Sequence, residues 1–240
     1  MSDKPSTRTA RSFIAVTGLS LIAIGINLLM TWHHDVQLYG LAEQGALIGC
    51  ETSENVNCDA VNTSAYSALF GVPIATWGLA AYALLGLVSL SAARGVVAAR
   101  NIVLWMASLA VGCSAFLFWV SVSELGFVCA WCLRLYAING TVLVISWFGG
   151  GRFVLPERVV AMRTLGKFVL LALIAIGGER AYRGSLLGAA GEIDLSAAES
   201  AVAASKGRFI DPKGEAPAFS FSVVTEDRNL ENIVDAVKAG

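Results

Sequence analysis

Apolar positions in this chain neither alternate nor recur at a helical period; they run together. Residues 13–32, 74–93 and 102–122 contain no charged side chain, and residues 127–148 are interrupted only by Arg134 and Asn139. A helix rises 1.5 Å per residue, so about 20 apolar residues cross a hydrocarbon core of about 30 Å. Each run therefore predicts a membrane span. A fifth run, at about 166–181, predicts another, although Lys167, Glu179 and Arg180 crowd its ends. The first run exceeds the 7–15 apolar residues of a signal-peptide core and has no small-x-small cleavage pattern at Thr31, Trp32 and His33, so it reads as a retained span. The pattern predicts an all-α polytopic membrane protein, a four-helix bundle with a fifth transmembrane helix.

Between the first two runs lie about 40 residues, too many for a turn. From Asp59 to Pro73 small, polar and aromatic residues mix without a span-length apolar stretch. This predicts a short helix or half-helix at the interface, ended by Gly71 and Pro73, that caps the bundle and holds Cys58 near Cys129.

Composition agrees with a membrane reading: 56% of the residues are hydrophobic and only 15% charged. The net charge of −1 conceals a strong sidedness. Lys4, Arg8 and Arg11 precede the first run, Arg94 and Arg100 lie between the second and third, and Arg152, Arg158, Arg163 and Lys167 follow the fourth. The alternate side, residues 33–73 and 123–126, has no Lys or Arg but carries Asp35, Glu43, Glu51, Glu54, Asp59 and Glu124. The positive-inside rule then predicts a cytoplasmic N-terminus and an outer face that holds both cysteine pairs. In a bacterial inner membrane that face is oxidising. The basic residues serve topology, and nothing indicates nucleic-acid binding.

Four of the five cysteines form two pairs. Cys129 and Cys132 stand one helical turn apart where a polar turn enters the fourth run. A thiol at a helix N-terminus faces unpaired N–H groups and the positive end of the dipole, which favours its thiolate. Cys50 and Cys58 form a wider pair in the acidic outer stretch. Electrons can pass between two such dithiols by thiol–disulfide exchange, with a lipid-soluble quinone as the sink. Trp131 and Tyr136 offer apolar faces and hydrogen-bond donors to a quinone ring.

Cys50 and Cys58, then Ser64, then Phe70-Gly71-Val72-Pro73, then Cys129-Ala130-Trp131-Cys132 followed by Tyr136-Ala137-Ile138-Asn139, resemble in this order the vitamin K epoxide reductase family, specifically its bacterial members. The resemblance implies a four-helix bundle around a quinone (ubiquinone or menaquinone), with a thioredoxin-like periplasmic partner reducing the loop pair. It implies that Cys132 faces the quinone, Cys129 exchanges with Cys58, and Cys50 meets the partner. Ser64 aligns with a serine important in the family, and Tyr136 with a tyrosine lining the quinone pocket. Many bacterial members continue into a thioredoxin-like domain with its own CxxC; here no cysteine follows Cys132, so the partner is expected in trans. The expected division is a cytoplasmic N-terminus (1–12), a catalytic unit (13–148), a cytoplasmic connection with the fifth helix (149–182), and an outer tail with some helix but no redox motif (183–240).

Other readings of these residues exist. Four thiols suffice for structural zinc, but the wide pair exceeds zinc-ribbon spacing. A non-catalytic membrane module, with cysteines that bind metal or staple the loop, is the alternative from another class. The other four-span disulfide-forming oxidase of bacterial membranes carries its CxxC in the first outer loop and its wide pair in the second, the reverse of this order. His33 and His34 read as a solvated boundary rather than haem or metal ligands, and Cys113 as an inert buried thiol in a small-residue stretch. Arg134 either snorkels or pairs with Glu124, or holds a thiolate or quinone oxyanion. Ser64 also fits a bond to a helix carbonyl, and Tyr136 an aromatic belt.

Overall fold

The computed structural model describes residues 6–39, 50, 53 and 55–190. Five helices in it are long and apolar enough to cross a membrane: α1 (Thr7–Tyr39), α3 (Ile74–Ala93), α4 (Val97–Val120, continued by a π-helical turn Ser121–Leu125), α5 (Ala130–Phe148) and α6 (Arg158–Ala190). The short helix α2 (Cys58–Asn62) and a two-stranded hairpin, β1 (Ala68–Leu69) and β2 (Val72–Pro73), stand between α1 and α3. The expected tail beyond residue 190 lies outside the described residues.

α1 packs most extensively on α3 and also meets α5; α4 bridges α3 and α5. Phe13, Val16, Leu84, Leu85, Val103 and Val142 fill the bundle away from the cysteines. Close approach relies on small buried residues such as Ser20, Ala23, Ala80, Ser89 and Ala107. The Ser20 hydroxyl donates back to the Val16 carbonyl of its own helix at 2.8 Å, which satisfies it without water. Leu21, Leu109, Phe116, Phe148, Leu170 and Ile174 instead point outward, more large apolar surface than a water-soluble chain tolerates and what a lipid-facing bundle requires.

α6 docks on α3 and α1 through charge as well as apolar contact. Arg183 lies 3.4 Å from Asp35 of α1, pairs with Glu179 of its own helix, and covers the Tyr39 ring at 4.4 Å. Glu179, which blurs the end of the fifth apolar run, is thus buried against α1 rather than solvated.

Three expectations need correction. His33 and His34 are not a solvated boundary: both are about 97% buried, because α1 continues to Tyr39 and α2 covers them. Cys113 is exposed on the outer surface of α4, not buried in helix packing. The helix expected to run toward Gly71 stops at Asn62. There Thr63 and Ser64 turn their hydroxyls back onto the Asp59 and Val61 carbonyls at 2.8 and 2.9 Å, which competes with further helix. Phe70 (φ 55°) and Gly71 (φ 71°) then occupy the left-handed region that a tight hairpin turn demands.

Candidate functional site: two cysteine pairs and an apolar cavity

Gly126, with φ 70°, ends the π-helical turn, and the chain re-enters a helix at α5. Cys129 is the N-cap of α5: its sulfur accepts the Cys132 N–H at 3.2 Å, the role a Ser or Asp oxygen ordinarily plays. The hydrogen bond from the neighbouring Cys132 thiol, helped by backbone N–H groups and the Arg134 charge, pulls the Cys129 thiol below its ordinary range against the opposing effect of burial.

The wide pair is brought to this point by backbone pairing. Asn57 N–H donates to the Val128 carbonyl at 3.1 Å and Val128 N–H to the Asn55 carbonyl at 2.9 Å, a short parallel bridge centred on Val56 and Val128. Each bond lies one residue before a cysteine, Cys58 or Cys129. Asn57 also caps α2 by accepting the Ala60 N–H at 2.9 Å. Cys50 and Cys58 are joined in a disulfide, whereas Cys129 and Cys132 are free. Cys50, Cys58 and Cys129 share one buried cluster with Ile26 and Met30, and Cys132 and Trp131 pack against it.

Behind Cys132 opens a cavity of about 110 Å³. Cys132, Leu135 and Tyr136 of α5 form one wall, Asn27 and Met30 of α1 another, and Val61, Asn62 and Ser64 lie on the α2 side. Its lining is largely apolar with a few polar atoms, the make-up common to small-molecule sites. Ser64 and Tyr136, expected at a quinone site, both line it. Trp131 is not among the lining residues; its ring packs by the cysteine cluster, with the Arg134 guanidinium 4.1 Å from its centroid.

The sequence profile of the vitamin K epoxide reductase family matches residues 14–147. The chain belongs to that family. The match spans α1 and α3 to α5 and leaves α6 outside it. No curated protein matches the chain. Vitamin K epoxide reductases are enzymes that use quinone substrates, so membership and two cysteine pairs point to a multi-pass membrane thiol–disulfide/quinone oxidoreductase.

The structure also brings in residues that sequence reasoning did not select. His33 Nε2 lies 3.2 Å from Asp59 Oδ1, and His33 Nδ1 lies 3.3 Å from Asn62 Nδ2. Asn62 also donates to the Met30 carbonyl at 3.0 Å, and its own carbonyl meets His34 Nδ1 at 2.6 Å. This polar latch fastens α2, which begins at Cys58, to the end of α1. Its signal in the sequence was three charged or polar residues, His33, His34 and Asp35, directly after an apolar run.

Proposed function

We propose that this family member oxidises a thioredoxin-like partner at the outer face of a bacterial inner membrane and passes the electrons to ubiquinone or menaquinone, which supports disulfide formation in exported proteins. A reduced partner gives two electrons and two protons to the Cys50–Cys58 disulfide and leaves with its own disulfide. Cys58 then attacks the oxidised Cys129–Cys132 pair at Cys129, and Cys50 closes on Cys58, which restores the loop disulfide and leaves two thiols at the head of α5. The quinone takes two electrons and two protons from that dithiol and leaves as quinol.

The observation that carries this reading is the division of labour in one helical turn: Cys129 lies beside the loop disulfide, and Cys132 lies in the cavity wall. The hydrogen-bonded, lowered Cys129 thiol is a good leaving group when Cys50 closes on Cys58 in the Cys58–Cys129 mixed disulfide, since a sulfur with a lower pKa leaves faster. The excess of basic residues on the alternate loops supports the outward placement.

The test is stopped-flow reduction of a ubiquinone or menaquinone analogue by the chemically reduced protein, with thiols counted before and after. The reading requires two thiols lost per quinol formed. Loss of thiols without quinol, or no reaction, overturns it. Membrane-impermeant thiol reagents added from outside should label Cys50 and Cys58 after reduction; labelling only after the inner face is opened reverses the orientation.

A further inference from the structure

The hydrogens left unspent around the cavity single out a residue of α1. A quinone ring offers two carbonyl acceptors on opposite sides, so a site that holds it firmly needs donors with hydrogens to spare. Most polar side chains of the lining have none. Ser64 gives its hydroxyl hydrogen to the Val61 carbonyl at 2.9 Å, Ser67 to the Ser64 carbonyl at 2.7 Å, and Ser121 to the Phe127 carbonyl. The Asn62 amide spends one N–H on the Met30 carbonyl and turns its nitrogen to His33 Nδ1. These groups can accept from a ligand but have no free hydrogen to give.

Asn27 differs. It is 3% exposed, lines the cavity, and sits near the middle of an apolar membrane helix, where a buried polar side chain is costly unless it is used. Its amide donates one N–H to the Ala23 carbonyl at 2.7 Å, which leaves the second. The seat of that amide is built by the neighbouring helix: at Gly78 of α3 a Cβ would overlap Asn27 Oδ1 and Cγ, so only glycine leaves the amide where it is. Tyr136 is the other donor within a spanning helix, and Tyr66 stands on the turn outside the spans.

From these unspent hydrogens, and resting on the quinone reading above, we propose that Asn27 is a binding residue that donates its free amide N–H to one quinone carbonyl, while Tyr136 serves the other. The oxygens of Ser64 and Ser67 then lie ready to accept from the hydroxyls of the quinol product. The site is specific for a ring with two opposed carbonyls, and Gly78 is the residue that keeps Asn27 in place.

The test uses the full chain in lipid nanodiscs with both cysteine pairs oxidised, so that no turnover occurs, and a ubiquinone analogue ¹³C-labelled singly at either carbonyl. Infrared difference spectra of the bound analogue should show both carbonyl bands lowered by hydrogen bonding. Asn27→Leu keeps the side-chain volume and should raise one band only, with quinone affinity about 2- to 13-fold weaker, the range expected for one lost neutral hydrogen bond. Gly78→Ala, which retains the asparagine but displaces its amide, should raise the same band, and the double variant should lose little more than either alone. If Asn27→Leu fails to fold, the Gly78→Ala spectrum decides. Normal quinone binding by the unaltered protein with both bands unmoved in the variants overturns the role of Asn27 alone; no quinone binding by the unaltered protein overturns the quinone reading with it.

Discussion

The two cysteine pairs are held by different physics. The pair at the head of α5 is local: Cys129 caps the helix and Cys132 follows three positions later, so helix geometry alone sets their relation. The loop pair is positioned by tertiary contacts: a disulfide across eight positions, two backbone bonds joining Asn55 and Asn57 to Val128, and the latch to His33 and His34 more than twenty residues upstream. One pair is therefore fixed relative to the cavity, and the other is poised on a small cap. That difference suits an electron relay, in which a rigid pair serves a buried ring and a pair on a cap meets a second protein.

The sharpest way to break the comparison is to remove the sulfur in the cavity wall. Cys132→Ala should abolish quinone reduction by the chemically reduced protein, while a reduced partner still opens the Cys50–Cys58 disulfide. Stopped-flow absorbance and thiol counting measure the two steps separately. Undiminished quinol formation would mean that the rigid pair does not serve the ring.

Next in size is the order of exchange within the loop pair. If Cys50 faces the partner and Cys58 attacks onward, Cys58→Ser should leave Cys50 in a long-lived mixed disulfide with the partner, visible on a non-reducing gel. Cys50→Ser should trap far less, and equal trapping by both variants would remove the distinction.

A smaller effect tests whether the cap is held by its latch. His33→Leu leaves the Asn62 amide with an unmet N–H, a loss of about 1–3 kcal/mol, or roughly 5- to 150-fold in the opening equilibrium of α2. Hydrogen exchange at the amides of Cys58–Asn62 should quicken by that factor, and transfer from the loop dithiol to Cys129 should slow. Quinone reduction by the chemically reduced helix pair should stay within about twofold, since His33 is not part of the cavity lining. Unchanged exchange would show that the backbone bridge to Val128 holds the cap without the latch.

The same contrast explains what could be read from the sequence. Apolar run length is a local property, and it located the five helices long and apolar enough to span a membrane; the i, i+3 spacing of Cys129 and Cys132 at the mouth of such a run is local as well. The latch is not local. His33 and His34 look like boundary residues until α2 folds over them, and nothing along the chain announces that Asn62 is their partner. Cys113 failed for a related reason: small neighbours promise close packing only if that face of α4 meets another helix, and it faces outward instead. Asn27 was hidden among apolar neighbours, and its seat becomes visible only when α3 sets Gly78 against it.

The smallest predicted effect concerns a single hydroxyl. Tyr136 lies one turn beyond Cys132 on the same face of α5, lines the cavity, and is steadied by the edge of the Phe118 ring at a centroid distance of 6.4 Å. Tyr136→Phe keeps the ring and this contact and removes only the O–H. A neutral hydrogen bond to the quinone is worth about 0.5–1.5 kcal/mol, so quinone interaction should weaken roughly 2- to 13-fold with the cysteine chemistry intact. The KM for a ubiquinone or menaquinone analogue should carry the loss, and partner oxidation at the loop pair should be unaffected. An equal slowing of partner exchange would mean that the substitution disturbs the cap as well as the cavity, and that the two pairs are less independent than their different supports imply.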